Sequence, residues 1–227
     1  IAEKIVCQGG KVVLADISAR GVKLAESMGD KALFTCTDVS RLPIVNLVKI
    51  PFTCILSFAM YLIIRTLDMY KCLFETNVWG VFNVTRLIAG MMAENKPDAN
   101  RQRGVIINLG SVMAFGAPPS LVAYGAAKSA VVGMTLPLAR GLAAKGIRVL
   151  SISPGFIDTE QTQEEKKNWT SMKLTPKRYG TCEEVAHLVQ ACIENPLING
   201  EDIRIDMGWR YNQTKDNPEE AGGGGKC

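Results

Sequence analysis

The amino-acid sequence predicts an α/β protein: a doubly wound parallel sheet in three layers, with helices on both faces. Short apolar runs bounded by turn residues recur at 11–16, 31–38, 104–109, 146–152 and 202–207, as expected of buried strands. Segments of helical periodicity separate them, and strand–helix–strand alternation with short connections calls for parallel pairing. A chain of 227 residues suffices for one domain with a substantial core, so 1–211 is expected to form a single domain.

Residues 1–8 (IAEKIVCQ) place Ile1, Ile5 and Val6 on one helical face, and Gly9-Gly10 supply a stop. This reads as the tail of a helix. Because the chain begins at Ile1 without a charged-then-apolar leader, a processed protein or a fragment is expected. Residues 11–16 (KVVLAD) form a buried strand ending in Asp16, 17–29 a short helix, and 31–38 (KALFTCTD) a second strand.

The segment 41–64 breaks this rhythm. Pro43 and Pro51 disfavour a continuous helix, and no charge occurs from Ile50 to Ile64. Residues 54–64 (CILSFAMYLII) are apolar enough to serve as a strand. As a membrane span, 44–64 would carry Lys49 and Pro51 inside it. Its uncharged run falls short of the roughly 20 residues a span needs, so no membrane insertion is expected.

Alternation resumes with a helix over 67–95, the strand 104–109 (GVIINL), a helix over 122–144 and the strand 146–152 (GIRVLSI). Thr181-x-x-Glu184 is a capping-box signature opening a helix whose Val185, Leu188, Val189 and Cys192 share a face. A last strand covers 202–207, and the polar, glycine-ending 212–227 is expected to be a disordered tail.

Composition narrows the function. A net charge of +4, with Lys and Arg spread along the chain, gives no footprint for nucleic acid. Seven cysteines, no C-x-x-C and a single histidine, His187, suggest neither a disulfide framework nor a metal site. His187 lies in a helical pattern and reads as a packed or surface residue.

The chemistry lies between 107 and 159. Tyr124 and Lys128 are four apart at the start of a helix and share a face. A phenol is a poor acid or base at neutral pH, but a nearby ammonium favours its phenolate. It can then exchange a proton with a substrate oxygen while hydride moves to or from a nicotinamide. Ser111, at a strand end, can hold the same oxygen and stabilise its developing charge. The bare Y-x-x-x-K spacing is weak, since Tyr211 and Lys215 match it in the tail. Order lifts it: I-N-L-G-S (107–111), then Tyr124, then Pro154-Gly155-x-x-x-Thr159.

With N-V-x-G at 77–80, these motifs resemble the short-chain dehydrogenase/reductase family, within it the type-2 3-hydroxyacyl-CoA (type-10 17β-hydroxysteroid) dehydrogenases. FNVTRLIAG (82–90), GMTLPLAR (133–140) and AHLVQACIENPLINGE (186–201) carry the subgroup likeness. It covers 66–211 well and 1–40 loosely. The resemblance implies a Rossmann-like fold, NAD as cofactor, and a small-molecule substrate, an acyl-CoA or a steroid. It also implies a homotetramer or other homo-oligomer built on the helices 67–95 and 122–144, and a mitochondrial location, with the cytoplasm as alternative.

Ser111, Tyr124, Lys128 and Asn77 would be catalytic, Asn77 by holding a water linking the lysine to solvent. Asp16 would bind the adenosine ribose, where a carboxylate repels a 2′-phosphate and so favours NAD. Asp38 and Val39 would flank the adenine. Pro154, Ile157 and Thr159 would line the nicotinamide, with Tyr124 and Lys128 also touching the cofactor.

Two parts depart from the family. Its glycine-rich loop T-G-x-x-x-G-x-G, which binds the diphosphate at a helix N-terminus, would precede Asp16 by about 20 residues and so fall before Ile1. Gly9-Gly10 follow a helix and precede a strand, the reverse of the required order. The family's N-N-A-G loop is likewise absent from 41–64. An N-terminally truncated domain with open strand edges and weak dinucleotide binding is therefore expected, as from an altered splice product.

Overall fold

The computed structural model describes residues 1–40, 53–56, 66–162 and 176–211, with backbone alone for 53–56. The strands among them are β1 (Val12–Asp16), β2 (Ala32–Cys36), β3 (Thr53–Leu56), β4 (Gly104–Leu109), β5 (Ile147–Pro154) and β6 (Asp202–Ile205). All of these pair in parallel, in two sheets ordered β1-β2 and β3-β4-β5-β6. The helices are α1 (Ala2–Cys7), α2 (Arg20–Ser27), α3 (Leu67–Phe74), α4 (Gly80–Met92), α5 (Val122–Leu142) and α6 (Cys182–Glu194).

Strand alternation divides the core. Ile106, Ile147 and Val149 turn to α4 and α5, where they meet Val81, Val84, Ile88 and Val131. Val105, Ile107, Leu150 and Ile152 turn to the other face and meet Val189 and Cys192 of α6. Strands buried on both faces read as continuous apolar runs, which is why 104–109 and the start of β5 were so legible. The stretch Pro119–Lys145 is, among the described residues, the one helix long and apolar enough to cross a membrane. Its Tyr124, Ala127, Lys128, Val131, Thr135 and Ala139 are buried, the pattern of a core helix.

Arg148 joins β5 to α6. Its guanidinium donates at 2.8 Å each to the carbonyls of Cys192 and Ile193, acceptors that the end of α6 leaves open, and of Ile198 in the loop that follows. The other end of α6 carries the expected capping box: the Thr181 hydroxyl accepts from the Glu184 amide, and the Glu184 carboxylate from the Thr181 amide. Arg178 and that amide hold the Glu184 carboxyl down to about 2.

Several elements differ from expectation. β1 is not buried: Ala15 and Asp16 are exposed and the rest half-buried. Among the described residues it pairs only with β2, and Leu33 of that pair is exposed while Phe34 on the other face packs on Gly21 of α2. The second helix begins at Arg20, because the Asp16 carboxylate and the Ser18 hydroxyl accept from the Ser18 and Arg20 amides and fold 16–19 into turns. The helix expected over 67–95 is interrupted by a π turn, Glu75–Trp79. β5 runs on to Pro154, whereas β6 stops at Ile205, followed by left-handed Met207 and Gly208. Of the strand expected at 54–64, Thr53–Leu56 is present beside β4; the remainder, like the tail 212–227, lies outside the described residues.

Candidate active site

Parallel strands bring their carboxyl ends to one edge of each sheet, and those ends carry the predicted residues. Asp16 ends β1, Asp38 follows β2, Ser111 follows β4, and Pro154 ends β5. Asp16 and Asp38 thus belong to the two-stranded sheet, and Ser111 and Pro154 to the four-stranded one. Ligands of open α/β sheets bind outside the carboxyl ends of their strands.

Ser111 is buried and starts a 3-10 turn, its hydroxyl accepting from the Met113 amide at 3.2 Å. Tyr124 and Lys128 lie in the first two turns of α5, buried on the face that receives this turn. The turn is docked to the helix twice. The Ser129 hydroxyl donates to the Ala114 carbonyl at 2.7 Å. At Gly125, a Cβ would stand 2.7 Å from the Ala117 Cβ and 3.0 Å from the Met113 carbonyl oxygen, so only glycine allows the approach.

The Lys128 ammonium donates to the Leu109 carbonyl at 3.1 Å and lies 5.7 Å from the centre of the Tyr124 ring. Burial brings its pKa down from 10.5 to about 8. The lysine thus remains mostly charged at neutral pH beside the phenol, the condition for a tyrosine that gives or takes a proton.

Asn77 sits in the π turn, fully buried. Its Nδ2 donates to the Leu73 carbonyl at 3.1 Å, so a side chain takes over an acceptor of the helical ladder where the ladder is broken. Its Oδ1 is buried with no partner among the described residues. That leaves an acceptor suited to a water, as the expected role requires.

The remaining predicted contacts lie around the edge. Asp16 is exposed, with Oδ1 bonded to the Ser18 amide. Asp38 is exposed and accepts from the Ser40 amide and hydroxyl at 3.0 and 2.6 Å. The Val39 side chain turns into the core against Gly80, so a ligand there would meet its backbone. Pro154, Ile157 and Thr159 follow one another out of β5; Ile157 bridges Gly180 and the Thr159 amide donates to the Thr162 hydroxyl. This donor set fits the ribose and nicotinamide ends of a dinucleotide. For a diphosphate, the described residues hold no glycine-rich turn from a strand into a helix; Gly9 and Gly10 lie between α1 and β1.

A family model for short chain dehydrogenases matches residues 64–169. The 3-hydroxyacyl-CoA dehydrogenase type-2 of Drosophila melanogaster is 39% identical, across 90% of this chain and 89% of its own. The chain belongs to the short-chain dehydrogenase family. The human 3-hydroxyacyl-CoA dehydrogenase type-2 is also 39% identical, with 90% and 87% covered. Among solved structures, the 3-hydroxyacyl-CoA dehydrogenase type-2 of Mycobacterium avium superposes with a TM-score of 0.83 at 27% identity, covering 92% of this chain and 90% of that one. A 4-hydroxyisoleucine dehydrogenase complexed with NADH gives 0.80 at 26%, covering 91% of each.

Sequence reasoning passed over an aromatic wall in this dehydrogenase. Phe156 packs against Trp209 edge-on at 5.3 Å and against Tyr179 at 5.9 Å, and Trp209 reaches Tyr211 at 6.5 Å. Phe156, Trp209 and Tyr211 form one cluster with Val112, Met113, Leu121 and Tyr124. Tyr211, set aside as an accidental match, is therefore part of the wall; Lys215 lies outside the described residues. The exposed His187 lines a cavity of about 430 Å³ with Phe156, Ile157, Leu188 and Ile205, on the α6 side of the sheet. Gly125, directly after Tyr124, was the available signal for the close approach of the turn.

Proposed function

We propose that this chain interconverts a secondary alcohol and a ketone by hydride transfer with NAD, and that its substrate is a 3-hydroxyacyl-CoA. The observation that carries the reading is the buried Tyr124–Lys128 pair beside the turn that bears Ser111. Tyr124 exchanges the proton of the substrate oxygen, Ser111 holds that oxygen, and Lys128 favours the phenolate. Likeness to the 3-hydroxyacyl-CoA dehydrogenases supports the acyl-CoA over a hydroxysteroid, and the NADH-bound relative supports the cofactor. Asp16, with its exposed carboxylate, favours NAD over its 2′-phosphorylated form. NAD at a hundred times its dissociation constant should stabilise the protein by about 2.7 kcal/mol, and acetoacetyl-CoA should then oxidise NADH.

A second reading, a relative that acts only through protein interaction, is favoured by the division of the described strands into two sheets, β1-β2 and β3-β4-β5-β6. For that reading NAD leaves the melting temperature unmoved. Assembly is proposed to be homo-oligomeric, through Trp79 and Phe82 on one helical segment and Val122 and Leu136 on α5, all exposed. Light scattering would show a monomer if this is wrong. A mitochondrial location is proposed from the likeness to animal relatives and is tested by cell fractionation.

A further inference from the structure

We propose that Asp202 and Ser153 are positioning residues for Ser111 and Lys128, acting through the backbone of Gly110. This rests on the reading of Ser111 and Lys128 as catalytic. Along β5 the residues turned toward α5 change character as the strand nears the site: Ile147 and Val149 are apolar, but Ser151 and Ser153 carry hydroxyls, all within the buried core. Asp202, opposite Ser151 on β6, gathers both on one oxygen. Its Oδ1 accepts from Ser151 Oγ at 2.5 Å and from Ser153 Oγ at 2.8 Å, while Thr135 of α5 reaches Ser151 Oγ at 3.1 Å. The other oxygen, Oδ2, is buried without a partner among the described residues.

Stability does not account for such a carboxylate, because burying an oxygen without a partner costs free energy that an apolar residue would not incur. Its neighbours do account for it. A Cβ at Gly110 would stand 2.4 Å from Ser153 Oγ and 3.5 Å from Asp202 Oδ1. The Ser153 hydroxyl, held by Asp202, therefore rests directly on the Gly110 backbone, whose amide is tied to the Ile152 carbonyl at 2.8 Å. Gly110 is clamped from two directions, and it separates the two groups that matter. Before it, the Leu109 carbonyl accepts from Lys128; after it comes the Ser111 hydroxyl. A shift of Gly110 moves both relative to Tyr124.

The test compares Asp202→Val and Ser153→Ala, which release the clamp, with Asp202→Asn, whose amide oxygen can still accept from both serines. Turnover of acetoacetyl-CoA with NADH is read beside backbone amide exchange. Asp202→Val and Ser153→Ala are each expected to lose about tenfold in kcat with KM and NADH affinity nearly constant. Exchange should quicken about tenfold at 109–113 but not in α6, and Asp202→Asn should behave as the parent protein. Gly110→Ala should be more impaired than Ser153→Ala, and the double variant Gly110→Ala/Ser153→Ala should recover to the level of Ser153→Ala alone, because removing the hydroxyl relieves the closest clash of the methyl. Unchanged exchange at 109–113 in both Asp202→Val and Ser153→Ala, or Asp202→Asn as damaging as Asp202→Val, overturns the proposal. If the parent protein does not turn over acetoacetyl-CoA, the exchange arm still decides, and only the substrate reading fails.

Discussion

Replacing Lys128 with methionine keeps most of the side chain's length and removes its charge. The ammonium lies 5.7 Å from the Tyr124 ring centre in a site where the lysine is 2% exposed. At an effective dielectric near 20, a unit charge at that distance is worth roughly 3 kcal/mol, or about a hundredfold in phenolate population. At pH 7 the lysine, with its pKa at about 8, is still largely charged. Oxidation of 3-hydroxybutyryl-CoA at saturating NAD, followed by NADH absorbance, should therefore fall about a hundredfold in Lys128→Met at pH 7. The ratio should shrink as pH rises through about 8, because the lysine then loses the charge that makes the difference. A ratio below about threefold at pH 7, or one that stays constant through the titration, would refute this electrostatic role.

The same burial has a stability consequence of opposite trend. Between the folded pKa of about 8 and the ordinary 10.5, the unfolded lysine binds more protons than the folded one. Stability therefore rises with pH across that window, by at most about 3 kcal/mol. Below pH 8 the full penalty is present, and Lys128→Met should lack this rise.

Two further outcomes follow from buried hydrogen bonds. Arg148→Met leaves two carbonyls at the end of α6 and that of Ile198 in the following loop without their donor, so thermal unfolding should show a loss of about 3 kcal/mol or more; a melting shift under about 2 °C would contradict the capping role. Asn77→Ala frees the Leu73 carbonyl and should cost about 1–2 kcal/mol while lowering kcat, whereas unchanged kcat would detach the π turn from the chemistry.

Much of this was legible in the sequence because period and punctuation agreed. The run 104–109 matches β4 residue for residue, and Thr181 with Glu184 marks the start of α6, since both ends of that capping box are side chains. The order of Ser111, Tyr124 and Pro154 placed the site because parallel strands deliver their carboxyl ends to one edge. What was not legible depends on tertiary contact. The π turn is set by Asn77 reaching the Leu73 carbonyl, which no periodicity encodes. The exposure of β1 goes with its pairing, among the described residues, with β2 alone. The aromatic wall joins Phe156, Tyr179 and Trp209, dispersed in sequence and outside any motif. Asp202 reads as the polar first residue of a strand until Ser151, Ser153 and Gly110 are seen around it.

Tyr124→Phe removes one oxygen from a buried, well-packed ring and is the most direct test of the chemistry assigned to this dehydrogenase. The variant should bind NADH as the parent protein does and keep its melting temperature, yet lose acetoacetyl-CoA reduction by about 10²-fold or more. Reduction that persists near the parent rate in Tyr124→Phe would mean that the proton passes through another group, and the Ser111–Tyr124–Lys128 assignment would fall.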